Sequence, residues 1–119
     1  LGPVKALAAA NARSALTPDD ADLVEINEAF AAQVLSVLKA LKEPEFAKKA
    51  GIGDPLGAIP EPILNPRGGS IALGHPVGAT GARLVLSALN QLKSNQGHRA
   101  LVSLCIGGGQ GAALWLERT

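Results

Sequence analysis

Three stretches of the sequence combine a reactive side chain with unusual backbone. Asn27-Glu28-Ala29-Phe30 stands where a short apolar run, Asp22 to Ile26, gives way to a helical pattern. Ligand sites in α/β proteins lie at such strand ends. An Asn there can hold a water or a carbonyl oxygen through its amide N–H, or it can simply cap the helix that follows. The second stretch, Gly68 to Gly81, sets five glycines around His75. Pro76 keeps the residue before it extended, and the glycines let a ligand approach the backbone closely. A helix expected over Ala82 to Leu92 would aim its N–H groups at the same place, so His75 is presented on a rigid loop above a helix N-terminus. In the third stretch an apolar strand ends in Cys105-Ile106-Gly107-Gly108-Gly109. Backbone amides beside the thiol could form an oxyanion hole, although a free Cys can equally be a small buried hydrophobe. His98, between Gly97 and Arg99, reads as a solvated turn residue.

A thiol, an imidazole and free N–H groups are the parts needed for acyl transfer through sulfur. Taken from the residues alone, they describe a Cys105–His75 hydrolase or acyltransferase with Cys105 as nucleophile. A nucleotide reading of Gly107-Gly108-Gly109-Gln110-Gly111-Ala112 fails on context. That fingerprint must open a helix and meet an acid about twenty residues later, whereas strand-like Ala113-Leu114-Trp115-Leu116 follows here. Two His and one Cys, far apart, offer no metal-ligand spacing.

The elements that carry these residues follow from periodicity and punctuation. Val4, Leu7, Ala8, Ala12 and Ala15 mark an amphipathic helix with Pro3 near its start. Thr17-Pro18-Asp19-Asp20 is a helix-start signature that cannot run far, because the strand from Asp22 follows. Phe30, Val34, Val37, Leu38 and Leu41 give a helix from Asn27 or Glu28 to about Lys42. Residues 43–62 read as a surface excursion with a short helix over Glu45–Ala50. Ile63-Leu64-Asn65 reads as extended. Leu84, Val85, Ala88, Leu89 and Leu92 define the next helix, which Gly97 stops, and strands Ala100–Cys105 and Ala112–Leu116 close the chain. The order is that of a layered α/β protein with a mixed sheet covered by helices. No strand precedes the first helix, so the sheet is expected to lack its first strand.

With 119 residues, 47% hydrophobic and a net charge of +1, the chain is long enough for one domain. It has no charge block to grip nucleic acid and no apolar run long enough to span a membrane. One cysteine excludes an internal disulfide framework. Aromatics are 3% against fourteen glycines, which points to close backbone packing, and with no Met the sequence is expected to be a piece of something larger.

Asn27-Glu28-Ala29-Phe30, then Gly74-His75-Pro76 in its glycine frame, then Cys105-Ile106-Gly107-Gly108-Gly109, resemble in this order the C-terminal half of a thiolase. Asn65, Gly68-Gly69, Ile71-Ala72, Gly78, Thr80 and Gly81 agree with the family's His signature, and Ala100 through Ala113 with its Cys signature. The resemblance covers nearly all of residues 1–119, and residues 43–62 exceed the compact members as an inserted surface loop. Cys105 separates the sequence from ketoacyl synthases, and the tetrapeptide at Asn27 separates it from the sterol-carrier branch.

The resemblance implies different roles. Thiolases interconvert a 3-ketoacyl-CoA plus CoA with an acyl-CoA plus acetyl-CoA, carrying the acyl group on a cysteine of the N-terminal half. His75 would take that cysteine's proton, and Asn27 would hold a water of the first oxyanion site. Cys105 becomes the acid/base, not the nucleophile. The Gly107 N–H would serve a second oxyanion site, and Ala29 and Phe30 would line the acyl and pantetheine pocket. Coenzyme A and acyl-CoA enter as substrates, with no permanently bound cofactor. The implied partner is the N-terminal half, in a homodimer or homotetramer placed inside the cell, most simply in the cytoplasm, and the segment by itself would be inactive. A non-catalytic binding or assembly module that keeps the fold is the alternative.

Overall fold

The computed structural model describes residues 2–107 and 109–119. Helix α1 spans Gly2–Ser14, with Pro3 in its first turn where a missing N–H costs nothing. Thr17 begins a single 3-10 turn, Pro18–Asp20, in which the Asp20 carboxylate accepts the Thr17 N–H at 2.8 Å. Strand β1, Leu23–Ile26, is followed by α2, Ala31–Lys42, and α3, Pro44–Lys49. After a 3-10 turn over Glu61–Ile63 come α4, Ser70–Leu73, and α5, Val77–Asn95. Strands β2, Arg99–Ile106, and β3, Gln110–Glu117, form the closing hairpin.

Three local expectations need correction. Asn27 does not cap a helix: α2 starts at Ala31 with Phe30 before it, and the Asn27 N–H instead donates to Ser103 O at 2.9 Å, extending the sheet ladder. Helix α5 begins at Val77, five residues before the expected Ala82. Its first turn holds Gly78, Thr80 and Gly81, which carry no apolar period to read. Leu64 makes one isolated parallel bridge to Val24, not a strand.

The sheet order is β1-β2-β3. β1 and β2 are parallel, with Leu23 opposite Ala100 and Ile26 opposite Ser103. β3 returns antiparallel, setting Gly111 opposite Cys105. Alternation along β1 sends Val24 and Ile26 to one face and Leu23 and Glu25 to the other. On the first face Val24, Ile26 and Leu101 pack with Val4 and Leu7 of α1 and Val37 and Leu41 of α2. On the second, Leu23, Ala100 and Val102 pack with Leu84, Ala88 and Leu92 of α5. Ala47 and Ala50 are buried, and Phe46, Ile52, Leu56 and Ile59 of the 43–62 stretch pack against the α2 side of the core.

The expected backbone crowding occurs where α1 crosses β3. A Cβ on Gly2 would collide with the backbone at Gly111, and one on Gly111 with the backbone at Gly2. Further along the same contact, Trp115 Nε1 donates to Asn11 Oδ1 at 3.0 Å. Small residues at this crossing replace the large core anchors the composition lacks.

Candidate active site

Because β1 and β2 are parallel, their C-terminal ends lie at the same end of the sheet, with Asn27 just past β1 and Cys105 near the end of β2. Helix α5 returns between them, so its N-terminal turn reaches that end too. A Cβ on Gly81 would lie 3.9 Å from Leu104 Cδ1, next to Cys105.

Asn27 is 1% exposed. Its Oδ1 accepts from Ser70 Oγ at 2.5 Å, which fixes the orientation of the amide. Its Nδ2 is buried and has no hydrogen-bond partner among the described residues. The turn around it is held by side chains acting as backbone. Asn65 accepts the Ile26 N–H through Oδ1 and donates to Ile26 O through Nδ2, both at 2.9 Å, so its amide occupies the place of a strand residue. Glu28 accepts the Ile71 N–H at 3.3 Å and Asn65 Nδ2 at 3.4 Å. A Cβ on Gly69 would strike the Glu28 carboxylate and displace it from the contacts it makes with Asn65 and Ile71.

His75 is exposed in the loop between α4 and α5. Gly74 before it has φ +97°, a left-handed conformation open mainly to glycine. His75 Nδ1 is 2.7 Å from Thr80 Oγ1, and Thr80 Oγ1 donates its one proton to Pro76 O at 3.1 Å. With the Thr80 proton given to Pro76 O, Nδ1 would carry the ring proton and donate to Thr80, and the Nε2 lone pair would be free to accept a proton. Thr80 is fully buried, so the acceptor is fixed while the ring faces solvent.

Cys105 is half-buried in β2, on the face of Leu101 and Ser103 by alternation. Gly107, at φ +54°, turns the chain out of the strand, and its carbonyl accepts the Gly109 N–H at 3.1 Å. Gly108 of the Cys signature lies outside the described residues. Ala29 is half-buried, and Phe30 is 74% exposed. Asn27, His75 and Cys105 share one end of the sheet, and none hydrogen-bonds another among the described residues.

Ser70, Thr80, Asn65 and Glu28 support the site although pattern reading gives them no role. Thr80 stands five residues after His75, a signal usable only once α5 is known to start at Val77. Two carboxyls behind the site are perturbed in opposite senses. Burial raises the Glu25 pKa against the pull of its Gln91 hydrogen bond and the Arg83 charge. Asp22 is lowered by the His98 and Arg99 N–H groups that it accepts at 2.7 and 3.0 Å. Among the described residues no group of three or more His, Cys, Asp or Glu could hold a metal, and no helix is long and apolar enough to cross a membrane.

Comparison with known proteins gives the family. Residues 1–118 match the model of the thiolase C-terminal domain. The chain is 45% identical to the β-ketoadipyl-CoA thiolase of Pseudomonas putida over 118 residues, 99% of this chain and 26% of that protein. It is 47% identical to the 3-oxoadipyl-CoA/3-oxo-5,6-dehydrosuberyl-CoA thiolase of Escherichia coli K12, with the same coverage. Among solved structures, human mitochondrial 3-ketoacyl-CoA thiolase superposes with a TM-score of 0.83 at 38% identity, over 99% of this chain and 26% of that one; it has also been solved in complex with CoA. The chain therefore spans about a quarter of the length of the curated relatives it matches. With the C-terminal domain model matched over nearly every residue and the fold shared throughout, this chain belongs to the thiolase family.

Proposed function

We propose that residues 1–119 are the C-terminal catalytic part of a full-length thiolase, with 43–62 as a surface insertion, and that they act on CoA thioesters together with an N-terminal part. The observation that carries this reading is the gathering of Asn27, His75 and Cys105 at one end of the sheet, with the Asn27 amide locked by Ser70 and His75 Nδ1 held by the Thr80 hydroxyl.

In thiolysis, His75 Nε2 takes the proton of a nucleophilic cysteine carried by the N-terminal part. That thiolate attacks C3 of the 3-ketoacyl-CoA, and the C2–C3 bond breaks. The departing acetyl-CoA enolate takes a proton from the Cys105 thiol. Cys105 thiolate then deprotonates incoming CoA, whose sulfur attacks the acyl-enzyme and releases acyl-CoA, and the freed cysteine thiolate takes its proton back from His75. Oxyanions form at both stages. A water on Asn27 Nδ2 and the Gly107 N–H are placed to stabilise them, and donors aimed at developing charge are the strongest lever such a site has. Ala29 and Phe30 line the acyl and pantetheine pocket once the N-terminal part covers them. CoA and acyl-CoA are substrates, no cofactor stays bound, and the working enzyme is an intracellular, cytoplasmic homodimer or homotetramer.

The test is thiolysis of acetoacetyl-CoA, longer 3-ketoacyl-CoAs and 3-oxoadipyl-CoA by the full-length protein and by this chain alone. The chain alone is expected to show no turnover. In the full-length protein His75→Ala should depress both acylation and condensation, and Cys105→Ser condensation more than acylation. Appreciable turnover by the chain alone, an acyl group found on Cys105 by mass spectrometry, or negligible losses for both variants would overturn the assignment.

A further inference from the structure

Strand β1 lies at an edge of the sheet. Its inner edge pairs with β2, and its outer edge carries one isolated bridge, from Val24 to Leu64. The polar groups on that outer edge are taken up by a single residue. Asn65 N–H donates to Val24 O at 2.9 Å. Its side-chain Oδ1 accepts the Ile26 N–H and its Nδ2 donates to Ile26 O, both at 2.9 Å, while Nδ2 also reaches Glu28 Oε2 at 3.4 Å. To make these bonds Asn65 sits at φ +43°, in the left-handed region that residues with a Cβ enter at a cost. Ile26 O and Asn27 N–H belong to the same planar peptide unit. Asn65 Nδ2 holds its carbonyl from the outer edge, and Ser103 O accepts its N–H at 2.9 Å from the inner edge. Pinned on both sides, the unit fixes the Asn27 Cα that it carries.

A strand edge does not need such a device. Water or an ordinary strand residue can satisfy an edge carbonyl, and neither requires a left-handed backbone. The place of the clasp gives it another role. The side chain that follows the pinned peptide is Asn27, 1% exposed, with Oδ1 taken by Ser70 and Nδ2 without a partner among the described residues. Ser70 fixes which way that amide turns, but the position of the Cα beneath it is set by the backbone. We propose that Asn65 is a positioning residue for Asn27: its side-chain amide pins the peptide between Ile26 and Asn27 from the outer edge of the sheet, and so places the Asn27 Nδ2 donor in the site. A donor aimed at developing charge loses its effect when it is displaced, so a clasp on the backbone that carries it acts on the rate. This inference deepens the function proposed above and rests on the role given there to Asn27.

The experiment uses the full-length enzyme, reading kcat and KM for thiolysis of acetoacetyl-CoA and the melting midpoint. Asn65→Gly keeps the left-handed backbone and removes the side-chain bonds. It should lower kcat by on the order of ten- to a hundredfold, the scale of a small misplacement of reacting groups, with KM close to the parent's. Asn65→Asp keeps an acceptor for the Ile26 N–H but turns a lone pair on Ile26 O, and should lose at least as much. Added to Asn27→Ala, Asn65→Gly should slow the enzyme no further than Asn27→Ala alone, because it acts through that side chain. Asp22→Asn loosens the far end of β1 and is the control for stability, with a lower melting midpoint and parental kcat. Three results would overturn the proposal: parental kcat in folded Asn65→Gly, a double loss equal to the product of the single losses, or a kcat loss in Asp22→Asn matching that of Asn65→Gly. Failure of both Asn65 variants to fold would also overturn it, because the clasp would then serve stability. The Asn27→Ala arm separates the readings. If it keeps full activity the site assignment itself fails, and if it is impaired while folded Asn65→Gly is fully active only the positioning role fails.

Discussion

Asn27 has to be buried for its position to be exact and yet keep a donor for use. Ser70 resolves the conflict by taking Oδ1, which leaves Nδ2 for chemistry. Asn27→Ala in the full-length protein should lower kcat by about 10² to 10³, the usual loss for one oxyanion donor. Ser70→Ala should cost less activity, but it strands a buried acceptor and should cost about 1–3 kcal/mol of stability; kcat and urea midpoints measured on the same preparations separate the two. Thr80→Val removes the acceptor of His75 Nδ1–H. Acylation should then slow while KM holds, as stopped-flow measurement of the first half-reaction would show. The placement of Asn27, His75 and Cys105 at one end of the sheet was legible because each stands in a run of glycines or at a strand end that can be read locally. The bonds of Ser70 to Asn27 and of Thr80 to His75 were not, although Thr80 belongs to the His signature, because they are fixed by where α4 and α5 begin, and those first turns have no apolar period.

Elements set their ends by charge as well as by pattern. The Asp22 carboxylate ties the start of β1 to the start of β2 through the His98 and Arg99 N–H groups. Its folded pKa lies below the ordinary 3.8, so the native state binds fewer protons than the unfolded one in acid. The stabilisation is complete above that ordinary value and is lost as pH falls through the folded pKa. Urea midpoints over an acid pH series should fall less steeply for Asp22→Asn than for the parent. Glu25 has the opposite sign: its raised pKa favours the protonated native form, so its contribution weakens as pH rises. The crossing of α1 and β3 allows no side chain at Gly2 or Gly111. Gly111→Ala should cost about 1–3 kcal/mol by overpacking, read from the melting midpoint. The strands and α1 could be read from the sequence, since apolar runs and Pro3 mark them. The Asn65 side chain standing in for a strand residue could not, because a side-chain amide leaves no trace in periodicity.

At the scale of the molecule, the α5 side of the hairpin leaves Leu86, Leu89 and Leu114 exposed around a groove that Val85 and Leu104 also line. If this chain works with an N-terminal part as proposed, that part is what would cover the groove. Contiguous apolar surface of this kind marks an interface. The chain alone should therefore bind anilinonaphthalene sulfonate strongly, and the full-length protein more weakly per mole; equal fluorescence would mean that the groove stays bare.

The crossing at Gly2 and Gly111 also dictates an order of events. Helix α1 has its main partner in β3, and the Asn11–Trp115 hydrogen bond joins residues 104 positions apart. Helix α1 leaves the ribosome ahead of the elements of this chain that bury it, and its contacts with β3 form only when that last strand arrives. Closing so long a loop makes the contact slow as well as late. Until then Val4 and Leu7 have no β3 to lie against, and nascent chains stalled before residue 110 should leave α1 open to protease while those extended past Thr119 protect it.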